Sequence, residues 1–157
     1  MKIGNLEVCG VIYKITNKVN GKVYIGQTSQ KRGFKDRYCC EGDGIERVYN
    51  FHKKAKERGD SYNNHLLSSI ERHGFDNFDV EEIFDYALSE EELDEKEMIY
   101  IWKYKSNNRE FGYNVLEGGK TTYFNKERCA NTFFEFKKEL FIKTGYGKGI
   151  PIYIEMN

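Results

Sequence analysis

Two short runs rich in β-branched and aromatic residues, CGVIYKIT at 9–16 and KVYIGQT at 22–28, stand either side of a break that ends in Asn20-Gly21. An Asn-Gly pair between such runs is the strongest short-range signal for a β-hairpin, because both residues tolerate the positive φ that a tight turn demands. Alternation sets Val11, Tyr13 and Ile15 on one face of the first strand. On the second strand it sets Val23 and Ile25 on one face and Tyr24, Gly26 and Thr28 on the other. Any fold open to this chain must therefore hold an antiparallel strand pair close to its N-terminus.

The elements downstream are of mixed type. A basic stretch from Gln30 to Arg37 leads into a loop with Gly42 and Gly44. Ile45, Val48, Tyr49, His52 and Ala55 then recur at helical spacing, and Gly59 supplies a stop. A second helix is expected over 63–73, closed by Gly74, and a third strand over 78–86 with Phe78, Val80, Phe84 and Tyr86 in one alternating phase. Ser89 followed by Glu92 is a capping box that opens a helix reaching about 105. Beyond it, 125–143 reads as an amphipathic helix and 150–154 as a short strand. The order β-β-α-α-β-α predicts an α+β fold: a small, mainly antiparallel three-stranded sheet flanked by helices, with a C-terminal α-β extension. The expected division is an N-terminal arm at 1–7, a main domain at 8–120 and the extension at 121–157.

Composition narrows the class. The 157 residues are 39% apolar and 15% aromatic, enough for a real core and too rich in aromatics for a disordered tail. No apolar run approaches the roughly 20 residues of a membrane span, and no signal-peptide pattern opens the chain, so a cytoplasmic protein without a membrane partner is expected. Cys9, Cys39, Cys40 and Cys129 show no zinc-ligand spacing and read as reduced packing residues. Net charge is zero but unevenly spread: residues 1–59 carry +7, residues 60–120 carry −9 and residues 121–157 carry +2. Such asymmetry allows one positive face for a phosphate backbone, and equally describes solvated helices that happen to differ in charge.

In the helix expected over 89–105, Leu93, Glu97, Tyr100, Ile101 and Tyr104 share a face. A carboxylate inside such a stripe is costly to bury unless it meets a metal, a base or several donors; the bland alternative is a lysine partner at the edge of the stripe. Tyr13 and Tyr24 taken alone read as packing residues, Arg37 as a solvated charge and Asn114 as a turn residue. Their joint order is far more specific. Val11-Ile12-Tyr13 and Tyr24-Ile25-Gly26 on the two hairpin strands are followed by Arg37-Tyr38, the Asn63 to Gly74 segment, Glu97-Met98-Ile99-Tyr100-Ile101, and Gly112-Tyr113-Asn114 with Glu117-Gly118-Gly119. Over roughly residues 8–120 this resembles the GIY-YIG nuclease family, whose members include phage, mobile-element and restriction-type endonucleases.

The resemblance implies a DNA endonuclease that hydrolyses phosphodiester bonds with one divalent ion, Mg²⁺ or Mn²⁺, held on Glu97, in the cytoplasm of a bacterial or phage-infected cell. It assigns Tyr13 and Tyr24 to orienting and helping to deprotonate the attacking water, Arg37 to steadying the phosphate, and Asn114 to a supporting role. RNA remains open as a substrate, and cutting both strands with one active site would favour a homodimer or sequential nicking. The chain departs from the family pattern in two places: Val11 stands where the first glycine is expected, with Gly10 one position upstream, and Glu41 stands where a His often follows the Arg. Among the remaining histidines, His52, His65 and His73, His65 fits best, inside the Asn-x-His-Leu segment. Arg32 rivals Arg37, the general base is unassigned, and a catalytically silent nucleic-acid- or protein-binding module on the same fold is the alternative reading. A third is an interaction protein assembled through the phenylalanine-rich tail.

Overall fold

The structure, a computed structural model, describes residues 1–115 and Gly118. The helix expected over 125–143, the strand over 150–154, Cys129, Glu117 and Gly119 lie outside the described residues. Strands β1 (Lys2–Ile3) and β2 (Leu6–Glu7) pair as a small hairpin. Then come β3 (Gly10–Asn17) and β4 (Val23–Thr28), the short helix α1 (Phe34–Arg37), α2 (Gly44–Arg58), α3 (Asn64–His73), β5 (Phe78–Ala87) and α4 (Glu90–Tyr104). The main sheet is antiparallel with order β4-β3-β5. The expected α+β class with a three-stranded sheet is thus the observed one; α1, buried in the basic stretch, is an addition to it.

Local chemistry explains most boundaries. Gly21 takes φ 71° at the hairpin turn, as the Asn-Gly pair requires. Gly59 closes α2 in the left-handed conformation, its N–H donating to the carbonyls of Ala55 and Lys56. Asn63 caps α3 by accepting the Leu66 N–H at 3.0 Å. Ser89 caps α4 by accepting the Glu92 N–H at 3.1 Å, while Glu92 reaches back to the Leu88 N–H at 2.7 Å, one residue beyond a standard capping box.

Both faces of the sheet are covered. On one side Tyr13 and Ile15 pack with Phe34, Tyr38, Ile45, Val48, Leu66 and Ile70 from α1, α2 and α3 and the segment following α1. On the other, Ile12 and Ile25 pack with Ala87 and with Leu93 and Ile101 of α4. Each fully buried aliphatic side chain contributes roughly 1.5–3 kcal/mol. β5 does not keep the single alternating phase read from the sequence. Between the pairs Ile12↔Asp85 and Lys14↔Glu81, one residue of β3 faces three of β5. This bulge turns Phe84 to the α4 side, where its ring stacks edge-on with Tyr100 and lies 4.3 Å beneath the Lys14 Nζ, while Phe78 and Val80 stay on the α2/α3 side.

The chain beyond α4 returns to the sheet. Gly112 bridges Val23 in parallel, the Tyr113 N–H donates to the Val23 carbonyl, and the Asn114 side chain extends the pairing. Its Oδ1 accepts the Ile25 N–H at 2.9 Å and its Nδ2 donates to the Ile25 carbonyl at 2.7 Å, so one amide side chain imitates a strand residue along the β4 edge. Tyr113 is itself fixed by Ser69 and Asn17 at its hydroxyl and by Asn63 at its carbonyl.

Candidate active site

Tyr13 points from β3 across β4, and Gly26 makes the crossing feasible. A Cβ on Gly26 would collide with the Tyr13 ring and hydroxyl. The final glycine of Tyr24-Ile25-Gly26 is therefore a steric requirement of the first tyrosine. Gly10 answers a different demand, since a Cβ there would strike Leu93 of α4 and the Thr28 carbonyl; Val11, where the family glycine was expected, is simply buried core.

The Tyr13 hydroxyl lies 3.1 Å from that of Tyr38, and the Tyr24 ring stands beside that of Tyr13 with centroids 6.3 Å apart. The Arg37 guanidinium sits over the Tyr38 and Phe51 rings, at 5.2 and 5.4 Å from their centroids, and its charge acts on all three tyrosines. Burial pushes each of the three phenols above its ordinary range; for Tyr24 the Glu97 carboxylate adds to the rise and Arg37 opposes it. All three are neutral hydroxyl groups at neutral pH.

Glu97 comes from the other face of the sheet. Its Oε2 accepts a hydrogen bond from Gln27 Nε2 at 2.9 Å, and the same nitrogen donates to Asp94 Oδ1 at 2.6 Å. Tyr24 pairs with Ile15 on the α2/α3 side whereas Gln27 pairs with Ile12 on the α4 side, so tyrosine and carboxylate meet around the β4 edge. Gly118 closes over this corner: a Cβ on it would come within 3.3 Å of Glu97 Oε2.

The structure thus brings together Tyr13, Tyr24, Arg37 and Glu97, with Asn114 holding the strand that carries Tyr24. Arg32, the rival, is an exposed side chain bonded through Nε to Asp36 at 2.7 Å. His65 is placed elsewhere: its ring packs on Tyr113 at 4.9 Å, and burial together with Lys22 and Arg109 lowers its pKa. His52 is the histidine at the cluster. Its ring stands edge-on to Tyr38 at 6.0 Å, Nδ1 accepts the Asn63 N–H at 3.3 Å, and burial plus the nearby Arg37 lower its pKa to about 4. Its Nε2 is buried without a hydrogen-bond partner among the described residues. Tyr38, Gln27 and Asp94 belong to the site as well and were not singled out as site residues from the sequence; the aromatic following Arg37 and the Gln27 inside the second strand motif were the available signals.

As a fold, the architecture is similar to one already solved. A solved mutant of the catalytic domain of the intron endonuclease I-TevI aligns with a TM-score of 0.50 and 24% identity, covering 71% of this chain and 98% of that one. A structure of the catalytic domain of the homing endonuclease I-TevI aligns with a TM-score of 0.45 and 25% identity, covering 68% and 98%. No protein-family model matches the chain, and no curated protein matches it significantly. Among the described residues no helix is long and apolar enough to cross a membrane.

Proposed function

We propose that this chain is a divalent-metal-dependent DNA endonuclease acting through Glu97, Tyr13, Tyr24 and Arg37. The observation that carries the reading is the convergence, from β3, β4, α1 with the residue that follows it, and α4, of three clustered phenols, one guanidinium and one carboxylate around a single strand edge, on a fold shared with an endonuclease catalytic domain.

The donor set suits a hard cation. Glu97 supplies carboxylate oxygens, and among the described residues no group of three His, Cys, Asp or Glu side chains forms a cage. Glu97 would hold Mg²⁺ or Mn²⁺ as its protein ligand, with waters and substrate phosphate completing the shell. A bound ion would supply charge neutralisation at the phosphate and acidify a coordinated water.

The residues divide the remaining work. Arg37, stacked and always charged, offers its planar N–H fork to a phosphate oxygen. Tyr24 remains a protonated phenol beside Glu97, able to donate one hydrogen bond and accept another, and so to orient an attacking water. Tyr13, locked by Gly26 and Tyr38, holds Tyr24 in place. In hydrolysis the water oxygen bonds to phosphorus as the bond to the leaving oxygen breaks, and Arg37 meets the charge that grows on the equatorial oxygens. His65 has no part in this scheme.

The test is incubation of the purified full chain with supercoiled plasmid, with and without Mg²⁺, beside Glu97→Ala. Metal-dependent conversion to open-circle or linear DNA, lost in Glu97→Ala with an unchanged melting temperature, is the expected result. A Glu97→Ala variant that cleaves like wild type would sink the assignment. Salt-sensitive binding without any cleavage would mark a binding module instead, and cleavage confined to an RNA substrate would move the substrate class.

A further inference from the structure

Gln27 and Asp94 are an unusual pair to find inside a packed helix–sheet contact. Gln27 is 3% exposed and Asp94 9%, yet both belong to the seam where α4 lies on β4. Burying an amide and a carboxylate there is unfavourable unless their hydrogen-bonding capacity is used. An amide NH₂ carries two protons, and here two carboxylates share it: Asp94 Oδ1 at 2.6 Å and Glu97 Oε2 at 2.9 Å. Gln27 is fixed at its base by the β3–β4 ladder opposite Ile12.

We propose that Gln27 and Asp94 are positioning residues for Glu97. A glutamine side chain can present either its nitrogen or its oxygen with almost no change of shape. Asp94, an acceptor only, decides that choice: it holds the nitrogen toward α4, so that Glu97 meets a donor and not the amide oxygen. With Oε2 engaged, the Glu97 carboxylate is restricted to one orientation at the β4 edge before any metal arrives. This rests on the nuclease reading above, and it goes beyond it by naming the groups that aim the carboxylate. Partners of this kind behind a metal ligand typically change metal affinity or activity by about 10–100-fold when removed.

Three substitutions separate the roles. Gln27→Glu keeps the shape but replaces the donor by a third carboxylate. Asp94→Ala removes the acceptor, and Asp94→Asn keeps an acceptor oxygen. In plasmid nicking, Gln27→Glu and Asp94→Ala are expected to lower kcat about 10–100-fold and to raise the Mg²⁺ concentration at half-saturation, with little change in KM for DNA. Asp94→Asn is expected to retain most of the activity. Side-chain amide NMR of ¹⁵N-labelled full chain reads the bridge without catalysis. The Gln27 NH₂ pair, identified by its loss in Gln27→Leu, should change in Asp94→Ala and again in Glu97→Ala. Added Mn²⁺ should broaden it in wild type and not in Glu97→Ala.

Folded Gln27→Glu and Asp94→Ala variants with wild-type kcat and Mg²⁺ dependence would overturn the proposal, as would Gln27 signals indifferent to both Asp94→Ala and Glu97→Ala. A wild-type chain with no metal-dependent cleavage overturns the nuclease reading itself, and the NMR arm then still reports whether the bridge exists.

Discussion

Gly26 leaves room for the Tyr13 ring, and that contact ties stability to chemistry at a single atom's width. A methyl group there would have to displace an aromatic ring that is 1% exposed and bonded to Tyr38. Gly26→Ala is therefore expected to lose about 1–3 kcal/mol by overpacking. On the nuclease reading it should also lower cleavage more than that loss alone explains, because the Tyr13 ring stands beside that of Tyr24; urea unfolding and plasmid nicking measured side by side test this. His52 gives a prediction in pH. Its folded pKa, lowered to about 4, lies below the ordinary value of 6.5, so the unfolded chain binds the proton more readily. The contribution is fully present above about pH 6.5 and lost as pH falls toward 4, amounting to about 2–3 kcal/mol. The pH dependence of unfolding between pH 7 and 4.5 should flatten correspondingly in His52→Phe; an equally steep loss in wild type and variant would contradict it. At this scale the sequence was partly legible. A carboxylate in an apolar stripe draws attention to Glu97 without any coordinates. Nothing local separates His52 from His65, because what distinguishes them is which distant ring each meets, Tyr38 or Tyr113.

Helix and strand ends were the most readable elements, since their signals are short-range: Asn20-Gly21 at the hairpin, Gly59 after α2, Asn63 and Ser89 as caps. The β5 bulge was not readable, because the swing of Phe84 to the α4 side comes from cross-strand register and the aromatic surface of Tyr100 and Tyr104, neither of which leaves a mark in spacing. Asn114 is similar. As a residue type it signals a turn; as placed, it is the last pairing partner of β4. Asn114→Ala leaves the Ile25 N–H and carbonyl without their partners and should cost about 1–3 kcal/mol. Amide exchange at Ile25 should accelerate while the α4 cap at Glu92 is unaffected, and uniform acceleration across the domain would argue for a general loss of packing instead.

For the whole molecule, zero net charge conceals a positive N-terminal third, +7 over residues 1–59, against −9 over residues 60–120. On the nuclease reading, Lys31 and Lys35 shortly precede Arg37 in sequence and are exposed. DNA affinity should then fall with salt according to the phosphates neutralised, with a log–log slope near −0.9 per contact. A Lys31→Glu, Lys35→Glu double variant should flatten that slope, measured by fluorescence anisotropy of a labelled duplex; an unchanged slope would place the DNA elsewhere. The clasp of Asn114 on Ile25 has a further consequence, in the order of synthesis. Tyr13, Tyr24 and Arg37 leave the ribosome first, and Glu97 well after them, yet the strand bearing Tyr24 is not fully paired until a residue 89 positions beyond Ile25 has emerged. A nascent chain of this protein carries Tyr13, Tyr24, Arg37 and Glu97 before it can hold them in register, and translation itself thereby delays the assembly of the cluster.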